Sequence, residues 1–456
     1  MKNALKALML MLLILCTLLV FACGQPDEDA DESTESTTEQ GKEAATHSTE
    51  ESTDSETETE TETETETSAP PLVMKPGKTD LTSDVVPLRN HRMDNSLAMF
   101  KDIAADGSEN VLFSPYSVFA ATAMVTEGAK GQTLSELETL MGVGQADLVK
   151  AYGLYWGDAQ SENLLSANSV WVDTYEGLTI NEDTFAKLQS AYAAGVFHRD
   201  LQDPATVDAL NQWVSEHTKG RIPKIVDDFD PSARLSLVNA LSFDAEWSVP
   251  YADYQQKDGT FRNADGTTST ANMLSSIETY YLEDENAQGF YKLYQRGADG
   301  KSYAFVAVLP KEGMTPVEYL ATLNGDGLRN MLFNYTTDVE LYTKMPAFKA
   351  ETSYELVDTY RRLGCTNPMT ELADFTGLAT SDNPIFISHI THKAMIEVDA
   401  MGTKAGAATD IGMAEGCGPL EPPPRKDVIL DRPFIYMILD CTTGLPIFMG
   451  ITSSVA

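Results

Sequence analysis

The spacing of apolar positions along the chain predicts helices first and long strands later. Helical spacing, with a capping Asn/Ser pair before the first helix, occurs at residues 95–104, 133–141, 181–194 and 207–217. Residues 110–123 predict a short apolar strand, a Ser-Pro turn and a serine-capped helix that must be buried. Apolar or alternating runs, the last a hairpin turned at residues 442–444, predict strands at residues 164–172, 235–243, 303–310, 338–348, 385–398 and 434–451. This order indicates an α+β fold with substantial antiparallel sheet.

One segment between two predicted strands has an unusual composition. Residues 403–409 (TKAGAAT) are almost all small and contain no proline, and the prolines begin only at Pro419. Small side chains can slide between neighbouring strands, whereas a proline would remove a hydrogen bond from the ladder. We interpret residues 403–409 as a segment built to enter a sheet as a new strand. A flexible Gly/Ala-rich linker is the alternative.

The first 22 residues have the pattern of a secretory signal. Lys2 and Lys6 precede an apolar run at residues 7–21, which is too short for a bilayer that requires about 20 residues. The run ends in VFACG, which resembles a bacterial lipobox, although Phe21 is larger than the residue usual at its position. We predict lipidation of Cys23 and an extracytoplasmic protein anchored to a bacterial membrane by its lipid. Ordinary secretion after cleavage at Ala22 is the alternative.

Residues 23–71 are predicted to be a disordered acidic tether before the body of the chain, residues 72–456. Residues 25–67 hold 17 Asp and Glu against one Lys, so 16 of the 37 net negative charges lie here. This stretch has too few large apolar residues to fold, and its like charges repel. The body, which has no second low-complexity break, is predicted to be one domain. It is also acidic and lacks Lys/Arg clusters, which argues against a nucleic acid partner.

The chemistry-bearing residues argue against an enzyme, a metal site and a cofactor. A hydrolase triad requires an activated serine beside a histidine, yet the chain has no Gly-x-Ser-x-Gly motif and Ser114 precedes a proline. Of the five cysteines, those outside the signal and the lipid position are Cys365, Cys417 and Cys441, and none has the short spacing of a zinc site. Because their number is odd, we predict no structural disulfide.

The body resembles the serpin family over about residues 95–455. Six motifs occur in the family's order: NVLFSPYS at 110–117, NQWV and TKGRI at 211–222, LVNA at 237–240 with Trp247 and Pro250, HKAMIEV at 392–398 before Gly402 and Thr403, DRPF at 431–434, and FMG at 448–450. The resemblance implies the serpin fold. We therefore expect three antiparallel or mixed β-sheets, about eight or nine helices and an exposed reactive-centre loop.

The resemblance also implies a suicide-substrate inhibitor of serine proteases, with cysteine proteases as a further target class. In such a protein the protease cleaves the loop and forms an acyl-enzyme, and the loop then inserts into the central sheet and traps the protease. The inserting hinge is expected at Gly402, Thr403, Lys404, Ala405, Gly406, Ala407, Ala408 and Thr409.

Three residues at the hinge depart from the family pattern. Ala400, Met401 and Lys404 replace residues that are usually acidic, and Lys404 must face solvent after insertion. We interpret these departures as slowing insertion. They also favour the alternative function, a non-inhibitory serpin that acts as a binding module or scaffold at the cell surface.

A second set of residues implied by the resemblance is the shutter, where the strands of the central sheet part. The matching positions are Ser114, Ser117, Asn239 and His392. A buried histidine that bridges a Ser/Asn cluster can hold two strands together and release them in one step, because partly satisfied buried polar groups are costly. A core histidine with satisfied hydrogen bonds and no switching role is the alternative.

The scissile bond follows from two counts that disagree. Counting from Gly402 places it between Gly416 and Cys417, whereas counting back from Pro433 places it near Leu420 and Glu421. We favour the bond between Gly416 and Cys417, because the hinge-side length fixes how far the strand inserts. A small residue before the bond favours an elastase-like or subtilisin-like protease. We expect a monomer whose partners are this protease and, through the lipid, a membrane.

Overall fold

The computed structural model describes residues 81–105, 109–156, 163–231, 233–403 and 422–455. Ser114 begins the helix that follows the first strand, since its Oγ accepts the N–H of Ser117 at 3.1 Å and Pro115 occupies the first turn. The predicted buried helix is thus confirmed. The α-helices within the described residues are α1 (Val85–Ile103), α2 (Pro115–Thr126), α3 (Gly131–Met141), α4 (Leu148–Trp156), α5 (Glu182–Tyr192), α6 (Pro204–His217), α7 (Pro316–Thr322), α8 (Gly325–Phe333) and α9 (Val357–Arg362).

Strands dominate the second half of the chain, as the apolar pattern predicts. Those within the described residues are β1 (Val111–Phe113), β2 (Leu164–Asp173), β3 (Leu178–Ile180), β4 (Gly195–Arg199), β5 (Leu235–Phe243), β6 (Ala245–Glu246), β7 (Gln256–Arg262), β8 (Thr268–Glu278), β9 (Tyr280–Glu283), β10 (Ala287–Leu293), β11 (Tyr303–Pro310), β12 (Glu340–Pro346), β13 (Phe348–Glu355), β14 (Ala379–Ser381), β15 (Thr391–Val398), β16 (Gly402–Thr403), β17 (Arg425–Ile429), β18 (Phe434–Asp440) and β19 (Pro446–Thr452). The α+β class is therefore confirmed.

Two sheets are continuous. One has the strand order β1-β19-β18-β11-β10-β9, and its antiparallel pair β18 and β19 is the predicted terminal hairpin. The other has the order β17-β12-β8-β7, in which β17 runs parallel to β12. The inner strands β11, β18 and β19 of the first sheet are buried on both faces, and α2 packs against β19.

A third layer consists of two separate parts. Strands β4, β2 and β5 form one part and β13 and β15 form the other, and no ladder joins β5 to β15 in the described residues. Residues 241–243 of β5 and 395–397 of β15 nevertheless line one small cavity together, so the two edges face each other. We call the space between these two edges the sheet gap.

The strand predicted at residues 385–398 is shorter than expected. It begins only at Thr391, and residues 385–390 are irregular. The reason lies in their hydrogen bonds: the N–H of Ile387 donates to the carbonyl of Pro368 at 2.8 Å, and the N–H of Ile390 donates to Glu355 Oε1 at 2.8 Å. These donors are therefore not available to a neighbouring strand.

Candidate functional site: the hinge turn and the sheet gap

The chain leaves β15 through a tight turn, residues 399–403, which we call the hinge turn. Asp399 closes the turn, since its Oδ1 accepts the N–H groups of Met401 at 2.8 Å and Gly402 at 3.0 Å. The turn then passes so close to β6 that a Cβ at Gly402 would lie 2.2 Å from the carbonyl oxygen of Ala245. Only glycine fits at this approach of two backbones.

The hinge turn ends in β16, which has already begun to pair beside the sheet gap. Gly402 lies opposite Glu246 and Thr403 opposite Ala245 in an antiparallel ladder. The Thr403 side chain is 2% exposed, and its Oγ1 hydrogen-bonds the Tyr294 hydroxyl at 2.8 Å. The first two predicted hinge residues thus form the start of a strand at one end of β5.

A short segment at residues 247–251, which we call the hinge-binding segment, holds the hinge turn from the other side. The indole Nε1 of Trp247 donates to the carbonyl of Asp399 at 2.9 Å, and its backbone N–H donates to the carbonyl of Met401 at 2.9 Å. The N–H of Tyr251 donates to the carbonyl of Ala400 at 2.8 Å. Three consecutive carbonyls of the hinge turn therefore have donors from two residues of one segment.

Farther along β5 the sheet gap widens into a cavity of about 440 Å³. Its walls come from α2, from β5 and the residues that precede it, from Phe375 and Leu378, and from the irregular residues that precede β15. They are mostly apolar, and representative residues are Val118, Val125, Leu237, Phe375, Phe386 and Ile390. An extended chain segment with apolar side chains on its inner face would fill this space and could pair with the edges of β5 and β15, which no ladder joins within the described residues.

His392 lies at the inner end of this cavity, on β15, and contacts the capped start of α2. Its Nε2 accepts the backbone N–H of Ser114 at 3.1 Å, while Ser114 Oγ donates to the carbonyl of Ile447 at 2.8 Å. The imidazole also packs edge-on against Phe113, with ring centroids 5.6 Å apart. The structure therefore brings three predicted shutter residues together: Ser114, Ser117 and His392.

Burial lowers the pKa of His392 to about 4, because no opposite charge compensates for the loss of water around its protonated form. The imidazole is therefore neutral near pH 7 and can accept the Ser114 N–H. Ser114 Oγ is already committed to a carbonyl, so the pair does not form the activated hydroxyl that a hydrolase requires.

Asn239, the fourth predicted shutter residue, lies on β5 but bonds away from His392. Its Nδ2 donates to Asn168 Oδ1 at 2.6 Å and to Ser166 Oγ at 3.1 Å, both on β2. Its Oδ1 is buried and has no hydrogen-bond partner among the described residues. In this structure Asn239 and His392 therefore stand on opposite sides of the sheet gap, each with its own partners.

Several predicted site residues lie outside the described residues. These are the lipidation site Cys23, the hinge residues Lys404, Ala405, Gly406, Ala407, Ala408 and Thr409, and the two scissile-bond candidates, Gly416 with Cys417 and Leu420 with Glu421. The described cysteines, Cys365 and Cys441, are both free and buried. Burial raises the pKa of the Cys365 thiol to about 12 and raises that of Cys441 as well, so both thiols are protonated at neutral pH.

Sequence reasoning missed three residues that hold the hinge. Tyr294 binds Thr403, Tyr251 binds Ala400, and Lys292 lies under the hinge-binding segment. The only signal in the sequence is Lys292 itself, a lysine in the otherwise apolar end of β10 (GFYKL).

Neither a membrane-spanning helix nor a metal-binding cluster occurs in the part of the chain that the structure describes. There, no helix combines the length and the apolar character that a membrane crossing requires. No group of three or more His, Cys, Asp or Glu side chains in the same ranges is arranged to hold a metal ion.

Comparison with known proteins gives one family throughout. The family model described as Serpin (serine protease inhibitor) matches residues 90–455. An uncharacterized serpin-like protein of Thermococcus kodakarensis is 30% identical over 77% of this chain and 82% of its own, and human neuroserpin is 28% identical over 78% and 89%. Among solved structures, the thermophilic serpin tengpin in its native state has a TM-score of 0.74 and 32% identity, covering 82% of this chain and 95% of tengpin.

Proposed function

Since this chain belongs to the serpin family, we propose that it is an extracytoplasmic suicide-substrate inhibitor of a serine protease, with cysteine proteases as a second target class. It traps the protease by inserting the residues that follow Thr403 into the sheet gap. The observation that carries the proposal is the antiparallel pairing of β16 with β6, beside the edges of β5 and β15, which no ladder joins within the described residues. A lipid on Cys23 would hold the inhibitor at a bacterial membrane.

Extending this register gives each inserting residue a partner. Because Thr403 lies opposite Ala245, antiparallel continuation puts Lys404 opposite Asp244 and Thr409 opposite Asn239. Thr403 points into the core, so every second residue after it does too. These inward residues are Ala405, Ala407, Thr409, Ile411 and Met413, which are all small or apolar.

Two polar residues of the inserting segment, Lys404 and Thr409, would lie opposite hydrogen-bond acceptors on β5 or next to it. Asn239 Oδ1 and Asp244 Oδ1 are both buried, and neither has a hydrogen-bond partner among the described residues. In the extended register, the Thr409 hydroxyl can donate to the first and the Lys404 ammonium to the second. Asp244 already pairs through Oδ2 with Arg221, so Lys404 would be the second cation on this carboxylate, at its other oxygen, and its charge still fits the sheet gap of this chain.

The length of β5 supports the bond between Gly416 and Cys417 as the scissile bond. In the extended register, residues 405–413 run opposite all of β5, Leu235–Phe243. Cleavage after Gly416 leaves only three residues beyond this span, whereas cleavage after Leu420 leaves seven. Because Gly416, the residue before this bond, is small, it favours a protease with an elastase-like or subtilisin-like pocket.

The direct test is to mix residues 72–456 with a panel of serine and cysteine proteases and to look for an SDS-stable covalent adduct. Mass spectrometry of the released peptide then identifies the scissile bond. An adduct with an elastase-like or subtilisin-like enzyme is the expected result. Cleavage by every enzyme without an adduct, and without a gain in heat resistance, would instead support a non-inhibitory binding module.

Reversing the charge of Lys404 tests the proposed register. We expect Lys404→Glu to slow insertion about tenfold, because a carboxylate beside Asp244 replaces an attraction by a repulsion. Slower insertion lets the protease hydrolyse more loop before it is trapped, so the number of inhibitor molecules consumed per protease rises. Lys404→Arg, which keeps the charge, should behave like the wild type.

A double-mutant cycle assigns this effect to Asp244. If the two residues pair, Lys404→Glu should cost little in an Asp244→Asn background. An equal penalty in both backgrounds would show that Lys404 acts elsewhere and that the extended register is wrong. Stopped-flow measurement of insertion with a fluorophore on the loop gives the rates.

A further inference from the structure

The ammonium group of Lys292 is buried under the hinge-binding segment. Its side chain is on β10, and the residue is 2% exposed. Nζ lies 2.9 Å from Glu278 Oε1 and donates to the carbonyl of Val249 at 3.2 Å. It also lies 4.2 Å from the centroid of the Tyr251 ring and 5.4 Å from that of Trp247. A buried ammonium is tolerated only with such a set of partners.

Glu278 lies on β8, in a different sheet from Lys292, and side chains of that sheet hold its carboxylate in place. Its Oε1 accepts the hydroxyl of Ser276 at 2.6 Å, and Ser276 Oγ lies 3.0 Å from Thr343 Oγ1 on β12. The carboxylate therefore has a defined position, and Lys292 connects that position to the hinge-binding segment. Removing either partner would leave the other charge buried without compensation.

The residues that surround the ammonium are the same ones that bind the hinge turn. Trp247 and Tyr251 place their rings on Lys292, and their N–H groups donate to the carbonyls of Asp399, Ala400 and Met401. Val249, between them, gives its carbonyl to Lys292. One buried charge therefore contacts both residues whose N–H groups bind these three consecutive carbonyls.

We propose that Lys292, with Glu278, is a positioning residue that holds the hinge-binding segment in the geometry that retains the hinge turn. It acts through Trp247 and Tyr251 and does not touch the loop itself. Resting on the proposed function, the proposal further implies that this pair sets how readily the uncleaved protein releases its hinge. An intact pair keeps the strand from inserting before a protease has cleaved the loop.

Amide hydrogen exchange tests this role without a protease. In Lys292→Met, the amides of Trp247 and Tyr251 should exchange about tenfold faster, while amides of β18 keep their wild-type rates. Lys257→Met, which removes an exposed lysine from β7, should change neither set. If Lys292→Met does not fold, the same exchange rates are measured on Glu278→Gln, which keeps the side-chain volume and should show the same increase. Unchanged exchange, or a uniform rise over the whole protein, would overturn the proposal.

A second readout separates this inference from the proposed function. On incubation at moderate temperature, uncleaved Lys292→Met should convert to a heat-resistant form about tenfold faster than wild type, whereas the melting temperature of the loop-cleaved form should be unchanged. An equal loss of thermal stability in the uncleaved and the loop-cleaved forms would show that Lys292 has only a general structural role. If wild-type protein gains no heat resistance after cleavage, the inhibitory function fails, and the exchange rates at Trp247 and Tyr251 still decide whether Lys292 positions the hinge-binding segment.

Discussion

Cleavage of the chain between Thr403 and Pro422 is expected to raise the melting temperature by about 12 °C. Within the described residues no ladder joins the facing edges of β5 and β15, so each edge can pair with an inserted strand. About ten new hydrogen bonds at roughly 1 kcal/mol each stabilise the product by on the order of 10 kcal/mol. At roughly 2.1 cal/mol/K of unfolding entropy per residue, 1 kcal/mol corresponds to about 1.2 °C for a domain of about 385 residues. Calorimetry before and after limited proteolysis measures the shift.

A matched pair of proline variants shows whether insertion causes this stabilisation. Ala407→Pro lies in the middle of the inserting segment, where a central strand loses a ladder hydrogen bond and the ring clashes. It should be cleaved as a substrate, form no adduct and gain no heat resistance. Gly418→Pro lies beyond the scissile bond and should keep the wild-type shift. A full shift in Ala407→Pro would contradict insertion in this register.

Acidification is expected to destabilise the uncleaved protein through His392. Its pKa is about 4 in the folded chain and about 6.5 when unfolded, so above pH 6.5 the residue is neutral in both states and has no effect. As the pH falls from 6.5 to 4, the unfolded chain binds a proton that the folded chain resists. The loss is about 2 kcal/mol at pH 5 and approaches about 3 kcal/mol below pH 4.

Comparison with His392→Gln isolates this contribution from the many carboxylates of the chain. Glutamine can accept the Ser114 N–H but does not titrate. Between pH 7 and pH 5, the free energy of unfolding of the variant should therefore fall by about 2 kcal/mol less than that of the wild type. His389→Gln, at a histidine whose side chain is 60% exposed, is the control and should follow the wild type. Urea titrations at a series of pH values give the result. Parallel curves for wild type and His392→Gln would show that His392 does not sense pH.

Local features of this protein could be predicted from the sequence because they depend on neighbouring residues. The Ser114 cap, the buried α2, the strand β5 and the hairpin of β18 and β19 all follow from spacing and from the side chains next to them. The glycine at the start of the hinge is different, because the family resemblance singled it out and its physical reason, the close approach to Ala245, is a tertiary contact.

The sheet gap and its contacts were decided only by the tertiary structure. Trp247 Nε1 and the Asp399 carbonyl are 152 positions apart along the chain, and no local pattern specifies such a partner. The late start of β15, at Thr391, has the same reason. The N–H groups of Ile387 and Ile390 before it donate to Pro368 and Glu355 instead of to a neighbouring strand.

The sequence by itself predicted α2, β5 and the terminal hairpin, which the structure has, and its resemblance to a family singled out Ser114, Asn239 and His392. The inserting role of the small segment stays a prediction. Tertiary packing decided that Asn239 turns to β2, that His392 becomes neutral by burial, and that Lys292 is enclosed beneath the hinge. The physical reason is that burial and hydrogen-bond partners come from strands distant in the sequence, whereas helix and strand preferences come from adjacent residues.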